Sequence, residues 1–264
     1  MSKKSRKSQK QNNRNNVVNP FFDEHGQSRH YESKQYDQGG QSDWHPLDDQ
    51  IDGRRDKKYV KNIKPRSAGQ ADLMKAIDQY NLTLAVGPAG TGKTYLAIAK
   101  AVEALEAGRI ERIILSRPAM EAGESIGFLP GGLDEKMAPY LRPLYDALGD
   151  RMGGKKVRHY MMDGTIEIAP VGFMRGRTLN NAFVVIDEAQ NCTYGQLKML
   201  LSRLGWHSTM VVTGDPDQSD LLDGMSGLSD IMTRVDPLPN IAVCRLGAED
   251  IVRHPLVAEM LTVL

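Results

Sequence analysis

The sequence predicts an α/β chain: a parallel sheet with helices on both faces, preceded by a disordered tail. Three observations carry that prediction. From about residue 61 onward, short β-rich runs alternate with longer amphipathic stretches. The runs are apolar at consecutive positions, as strands covered by helices on both sides are. One of them leads straight into a glycine-rich turn followed by a helix-forming run.

Taken in order, 82–87 (LTLAVG) reads as a strand and 92–107 as a helix. RIILSRP at 112–118 is a strand closed by Pro118, and 134–148 has helical spacing. Residues 165–171 and 183–188 (FVVIDE) are strands. A helix over 194–204 puts Leu197, Leu200, Leu201 and Leu204 on one face. A strand at 208–214, a helix at 227–235, a strand at 241–246 and a helix at 255–261 complete the series. No internal repeat is present.

Residues 1–60 differ in kind. The first sixteen hold six Lys and Arg and no acid, and the following stretch is polar with only scattered aromatics. Such a segment buries too little surface to offset the entropy of ordering. It reads as a solubilising tail or as an arm that touches nucleic acid or an acidic partner. The chain is thus expected to divide into a tail, 1–60, and a globular domain, 61–264.

The 264 residues carry a net charge of +1, which conceals an asymmetry. Residues 1–60 hold 12 Lys and Arg against 9 Asp and Glu, the remainder 22 against 24. The globular part is therefore no basic nucleic-acid binder on bulk charge, although a local basic groove is compatible with these totals. Cys192 and Cys244 are too few for a zinc site or a disulfide framework and suit a reducing cytoplasm. No apolar run approaches the ~20 residues of a membrane span, and no secretory leader is evident at the start. A cytoplasmic location is expected.

The chemistry begins at Gly87-Pro88-Ala89-Gly90-Thr91-Gly92-Lys93-Thr94, which fits G-x-x-x-x-G-K-[ST] without a mismatch. Glycines let successive N–H groups face inward and cradle a phosphate. The following helix start adds partial positive charge. Lys93 reaches the β- and γ-phosphates, and the Thr94 hydroxyl suits Mg²⁺. This predicts a P-loop nucleotide site for ATP.

Further along, the run 183–186 ends in Asp187-Glu188-Ala189-Gln190. Acids at the carboxyl end of a buried strand point into the ligand crevice of such sheets. Asp187 is expected to hold Mg²⁺ and Glu188 to act as general base toward water. A third apolar run enters Gly214-Asp215-Pro216-Asp217-Gln218, where the Gln218 amide is placed to sense a γ-phosphate. Cys192 has no partner base and reads as a small buried residue.

The order G-K-T, D-E-A-Q, G-D-x-x-Q resembles the motors of helicase superfamily 1. The segments between the motifs sharpen the likeness: Arg117-Pro118, Gly123-Glu124-Ser125-Ile126-Gly127-Phe128-Leu129-Pro130-Gly131, Pro139-Tyr140-Leu141-Arg142-Pro143-Leu144, Met174-Arg175-Gly176-Arg177-Thr178 and Val252-Arg253-His254-Pro255-Leu256-Val257. Together they resemble the PhoH family over about residues 61–264. The resemblance implies a single RecA-like core that binds and hydrolyses ATP, and a role in RNA handling. By analogy with related motors, Gln70 would read the adenine edge.

Superfamily 1 helicases carry two RecA-like halves, and the second supplies arginines to the nucleotide. About 200 residues and one motif set lead to the expectation that a neighbouring copy supplies the arginine, in a homo-oligomeric ring with a hexamer among its candidate sizes. Candidates are Arg253, Arg175, Arg177 and Arg203. The glycine-punctuated stretch 121–143 reads as a polynucleotide-contact loop or a packing surface, with Arg117 and Arg142 as phosphate contacts to RNA or another single strand. The alternative to an RNA-coupled ATPase is an ATP-switched scaffold with little turnover that recruits a partner.

Overall fold

The computed structural model describes residues 63–118, 133–222 and 224–252, all within one compact unit, Trp44–Leu264. Residues 1–60, most of 121–143, the helix expected at 255–261 and Arg253 lie outside the described residues.

Helix α1 (Ala68–Gln79) opens on Ser67, whose side chain accepts the Gln70 N–H, and turns Leu73, Ala76 and Ile77 inward. Strand β1 (Leu82–Val86) is buried throughout. Helix α2 (Lys93–Glu106) is enclosed for most of its circumference, from Leu96 to Ala104. After β2 (Arg112–Arg117) come α3 (Leu133–Met152) and α4 (Gly154–Met162), separated at Gly153, where φ is 85°. Next are β3 (Ile166–Pro170), a 3₁₀ turn at Val171–Met174, and β4 (Ala182–Ile186), followed by a second 3₁₀ turn at Ala189–Asn191. Helix α5 (Tyr194–Leu201) starts in a capping box between Thr193 and Gln196. The described elements end with β5 (Thr209–Gly214), α6 (Leu228–Val235), β6 (Ile241–Arg245) and a 3₁₀ turn at Ala248–Asp250.

The six strands form one sheet in the order β3-β2-β4-β5-β1-β6, every neighbouring pair parallel. The period-two pleat sorts buried residues into two cores. Ala85, Ile113, Leu115, Phe183, Val185 and Val211 face the layer of α1 to α4. Leu82, Leu84, Ile114, Val184, Ile186, Met210 and Val212 face α5 and α6. Burial on both faces is why these strands read as unbroken apolar runs.

The register sets the site. Val86 pairs with Gly214 and with Arg245, and Ser116 pairs with Ile186. The carboxyl ends of β1, β2, β4 and β5 therefore lie side by side. The strand β5 stands between the P-loop strand β1 and the acidic strand β4, the arrangement of RecA-like cores. Among the described residues no helix is long and apolar enough to cross a membrane.

Candidate nucleotide site

The loop after β1 is shaped by glycines with positive φ: Gly87 at 138°, Gly90 at 87° and Gly92 at 84°. A Cβ on Gly87 would stand 2.2 Å from the Leu246 carbonyl oxygen, so glycine is required there on two counts. Thr91 is fully buried and donates its hydroxyl to the Pro88 carbonyl at 2.9 Å. Lys93, the first residue of α2, turns its ammonium back into the loop. It donates to the carbonyls of Gly87 and Pro88, the latter at 2.8 Å. Burial lowers the Lys93 pKa, opposed by the negative charges of Asp215, Glu188 and Asp187.

Two segments grip this loop. Gln70 is buried at the start of α1; its Nε2 donates to the Thr91 carbonyl at 2.9 Å, and its Oε1 accepts the Arg66 N–H at 2.9 Å. From the other side, the Val252 N–H donates to the Gly90 carbonyl at 3.0 Å and the Leu246 N–H to the Val86 carbonyl at 2.8 Å. Asp250 ties the two segments together by accepting from Gly69 N–H at 3.2 Å and Gly247 N–H at 2.9 Å. Its carboxyl is held below the usual range by the Ser67 hydroxyl first, then by these backbone donors.

The opposite wall comes from β2, β4 and β5. Asp187 is 3% exposed. Its Oδ1 accepts the Thr94 hydroxyl at 2.6 Å and the Thr213 hydroxyl at 2.7 Å, and its N–H donates to the Ser116 carbonyl at 2.8 Å. Glu188 has left-handed backbone, φ 53°, a conformation costly for a residue with a Cβ. Both of its carboxylate oxygens are engaged. Oε1 accepts from Arg117 Nη2 at 3.3 Å and Oε2 from Gln190 Nε2 at 2.5 Å. Arg117 Nη1 also stands 3.7 Å from Asp187 Oδ2. Gln190 is buried and accepts the Asp215 N–H on its Oε1 at 3.1 Å, so one amide joins the loops after β4 and β5. Asn191 and Asp220 make a second, reciprocal link between them, 2.8 Å in each direction. Thr94, Tyr95, Arg117, Asp187 and Glu188 line an open cleft of about 470 Å³ together with Asp146 and Asp150 of α3.

The remaining expected site residues are spread more widely. Gln218 is exposed on the loop after β5, its N–H bonded to the Asp215 carbonyl at 3.1 Å. Arg175 is exposed beyond the edge strand β3. Arg177 makes a two-pronged pair with Glu167, 2.7 Å between Nη2 and Oε2, which raises its pKa. Arg203 donates to the carbonyls of Met199 and Arg177 at 3.2 and 3.3 Å. Arg142 is exposed on α3. Three contributors have no role assigned from the sequence: Gln190, Thr213 and Asp250. Gln190 closes the quoted Asp187-Glu188-Ala189-Gln190 and Thr213 directly precedes Gly214, so the available signal is their adjacency; Asp250 carries none.

Residues 62–264 match the family described as PhoH-like protein. The chain belongs to the PhoH family. Over 202 residues it is 52% identical to the PhoH-like protein of Bacillus subtilis, an alignment covering 76% of this chain and 63% of that one. With Protein PhoH of Escherichia coli K12 it shares 45% identity over 205 residues, 76% of this chain and 58% of the other. It thus spans about six-tenths of the length of these curated relatives. Among solved structures it is similar to the large terminase of a thermophilic bacteriophage, with a TM-score of 0.47, 11% identity, and coverage of 75% of this chain and 50% of that one. In this PhoH-family chain the residues from Gly87 to Thr94 have the P-loop sequence pattern, and they link β1 to α2 through glycines of positive φ at the carboxyl edge of the sheet.

Proposed function

We propose that this PhoH-family chain hydrolyses ATP in the presence of Mg²⁺ and couples the reaction to a single-stranded nucleic acid, in first place RNA. One observation carries the hydrolytic part. The Thr94 hydroxyl and the Asp187 carboxylate meet at 2.6 Å, joining the phosphate loop to the acidic strand beside Glu188.

The donor set fits the metal. A threonine hydroxyl and a buried carboxylate are hard oxygen ligands of the kind that share Mg²⁺ with substrate phosphates. Bound there, the ion would neutralise phosphate charge and polarise the γ-phosphoryl oxygens. The rest of the chemistry belongs to the chain. The glycine-shaped loop offers its N–H groups to the β- and γ-phosphates. Lys93 exchanges its backbone carbonyl partners for phosphate oxygens. The attacking water forms a bond to the γ-phosphorus, its proton passes to Glu188, and the phosphorus bond to the ADP oxygen breaks in line. Residues 61–264 would form the catalytic domain, with 1–60 as an appended tail.

A second reading, an ATP-switched scaffold with little turnover, has one observation in its favour: both Glu188 oxygens are engaged by protein donors. Glu188→Gln separates the two. For an ATPase, phosphate release falls about 10²- to 10⁴-fold while nucleotide binding persists, and single-stranded RNA stimulates the wild type only. Unchanged release from Glu188→Gln overturns the hydrolytic assignment of Glu188; wild-type release at the same low level, with or without RNA, favours the scaffold.

A further inference from the structure

We propose that Arg117 is a catalytic residue acting in cis: on ATP binding its guanidinium leaves Glu188 for the γ-phosphate, which frees the base and neutralises the charge developing on the transferred group. The proposal rests on the hydrolytic reading above and adds to it the arginine that reading lacks.

Arg117 touches both acids of the site. It ends β2, directly beside the acidic strand, since Ser116 pairs with Ile186. Its backbone is pinned by pairing with Pro170 on the other side, so the side chain is the part that moves. Nη2 lies 3.3 Å from Glu188 Oε1 and Nη1 3.7 Å from Asp187 Oδ2. One guanidinium therefore spans the proposed metal ligand and the base, the two groups between which the γ-phosphate must come. Among the described residues lining the cleft it is the sole cation, set against Asp146, Asp150, Asp187 and Glu188.

The arrival of a γ-phosphate changes this arrangement. Each Glu188 oxygen keeps a lone pair for water while paired, so what displaces a partner is the pull of the phosphate charge. Gln190 is the partner to keep: it is buried, sits 2.5 Å from Oε2 and is itself fixed by the Asp215 N–H. Arg117 is the partner to lose, with a longer contact and a side chain 21% exposed. A γ-phosphate offers more negative charge than one carboxylate and matches the guanidinium fork in two-pronged geometry. ADP brings no such group, so the base would stay paired when ADP is bound.

The other arginines leave room for this assignment. Arg177 is held by Glu167 and Arg203 by two carbonyls of its own chain. An arginine supplied from a neighbouring copy is compatible with this assignment, with the exposed Arg175 a candidate.

The test compares the full-length wild type with Arg117→Ala, measuring the affinity for ADP with magnesium alone and for ADP with magnesium and aluminium fluoride, which mimics the transferred group. The expected result is a loss of about 10²-fold or more for the fluoride complex, with ADP affinity within about twofold of wild type and kcat reduced in proportion. Arg117→Lys should recover part of the fluoride affinity, because it keeps the charge and loses the fork. Should Arg117→Ala prove unfolded by thermal melting, Arg117→Lys and Arg117→Gln carry the same comparison. Equal losses for ADP and the fluoride complex would mark a structural role, and unchanged fluoride affinity or a raised kcat would also overturn the proposal. The assay reads binding, so it is independent of Glu188→Gln. A failure of Glu188 as base appears in that variant's phosphate release, whatever Arg117 does here.

Discussion

The two walls of the candidate nucleotide site are built by different means. The phosphate-loop wall is held largely by backbone groups. The carbonyls of Gly87, Pro88, Gly90 and Thr91 receive donors from Lys93, Val252 and Gln70. The carboxylate wall is held by side chains on side chains: Thr94 and Thr213 on Asp187, Arg117 and Gln190 on Glu188. A backbone cradle serves any triphosphate that reaches it and is specified by the glycines that shape it. A side-chain lattice is specified atom by atom, and its members can change partners when a charge arrives. Under the proposed hydrolysis, the contrast would give binding to the first wall and timing to the second.

The sharpest way to break that division is Lys93→Ala, which strips the loop of its mobile cation. Hydrolysis should fall by about two to three orders of magnitude, together with nucleotide affinity, measured by phosphate release and by titration with a fluorescent ATP analogue. If affinity held while only the rate fell, the loop wall would share in timing. Gln190→Ala attacks the other wall. Its loss leaves the Asp215 N–H without its acceptor and Glu188 without its firmer partner. The expected outcome is a drop in kcat of about tenfold with KM little changed, and a destabilisation of about 1–3 kcal/mol in urea unfolding. A rise in KM alone would erase the distinction between the walls.

A smaller effect is expected from Gln70→Ala. Gln70 braces Thr91, so the ATP affinity should weaken by about fivefold, the equivalent of about 1 kcal/mol. Comparing ATP with GTP sharpens the result: a greater loss for ATP means that the amide also reads the base, and equal losses mean that it acts through the loop. The smallest effect concerns acid stability. The Asp250 carboxyl is held below its ordinary range by Ser67 and by two backbone donors. A group depressed in the folded state stabilises above its unfolded pKa of about 3.9 and loses that contribution as pH falls through the folded value. Thermal melting should therefore show the wild type losing stability below about pH 4. Asp250→Asn should start lower at pH 7 and change less over the same interval.

Much of the architecture is legible in the sequence, for a physical reason. Strands covered on both faces are apolar over most of their length, so 82–86, 182–186 and the centre of 112–117 stand out. The ends are less legible. The run 183–188 continues on paper to Glu188, yet the strand stops at Ile186 because Glu188 takes left-handed backbone. Helix α4 escapes a sequence reading because its inward side, Val157 with the partly buried Tyr160 and Met161, spans little more than one turn amid Lys, Arg and His. Helix α1 is missed although Leu73, Ala76 and Ile77 have the right spacing, since its start draws attention to Gln70 rather than to its apolar side. In the site, residue types are readable and partners are not. Nothing in the string R-P at 117–118 states that Arg117 faces Glu188, 71 positions away, because that contact exists only once β2 and β4 are neighbours.

The lock between Gly69 and Asp250 has a bearing on how the molecule is made. The two lie 181 positions apart, and a Cβ on Gly69 would stand 2.4 Å from the Asp250 carboxylate. During translation the glycine-rich turn leaves the ribosome long before the residues that brace it from behind. The pocket is therefore finished only after Asp250 has emerged, and under the proposed function a nascent chain stalled before Asp250 should hold ATP poorly even with the central strands already paired.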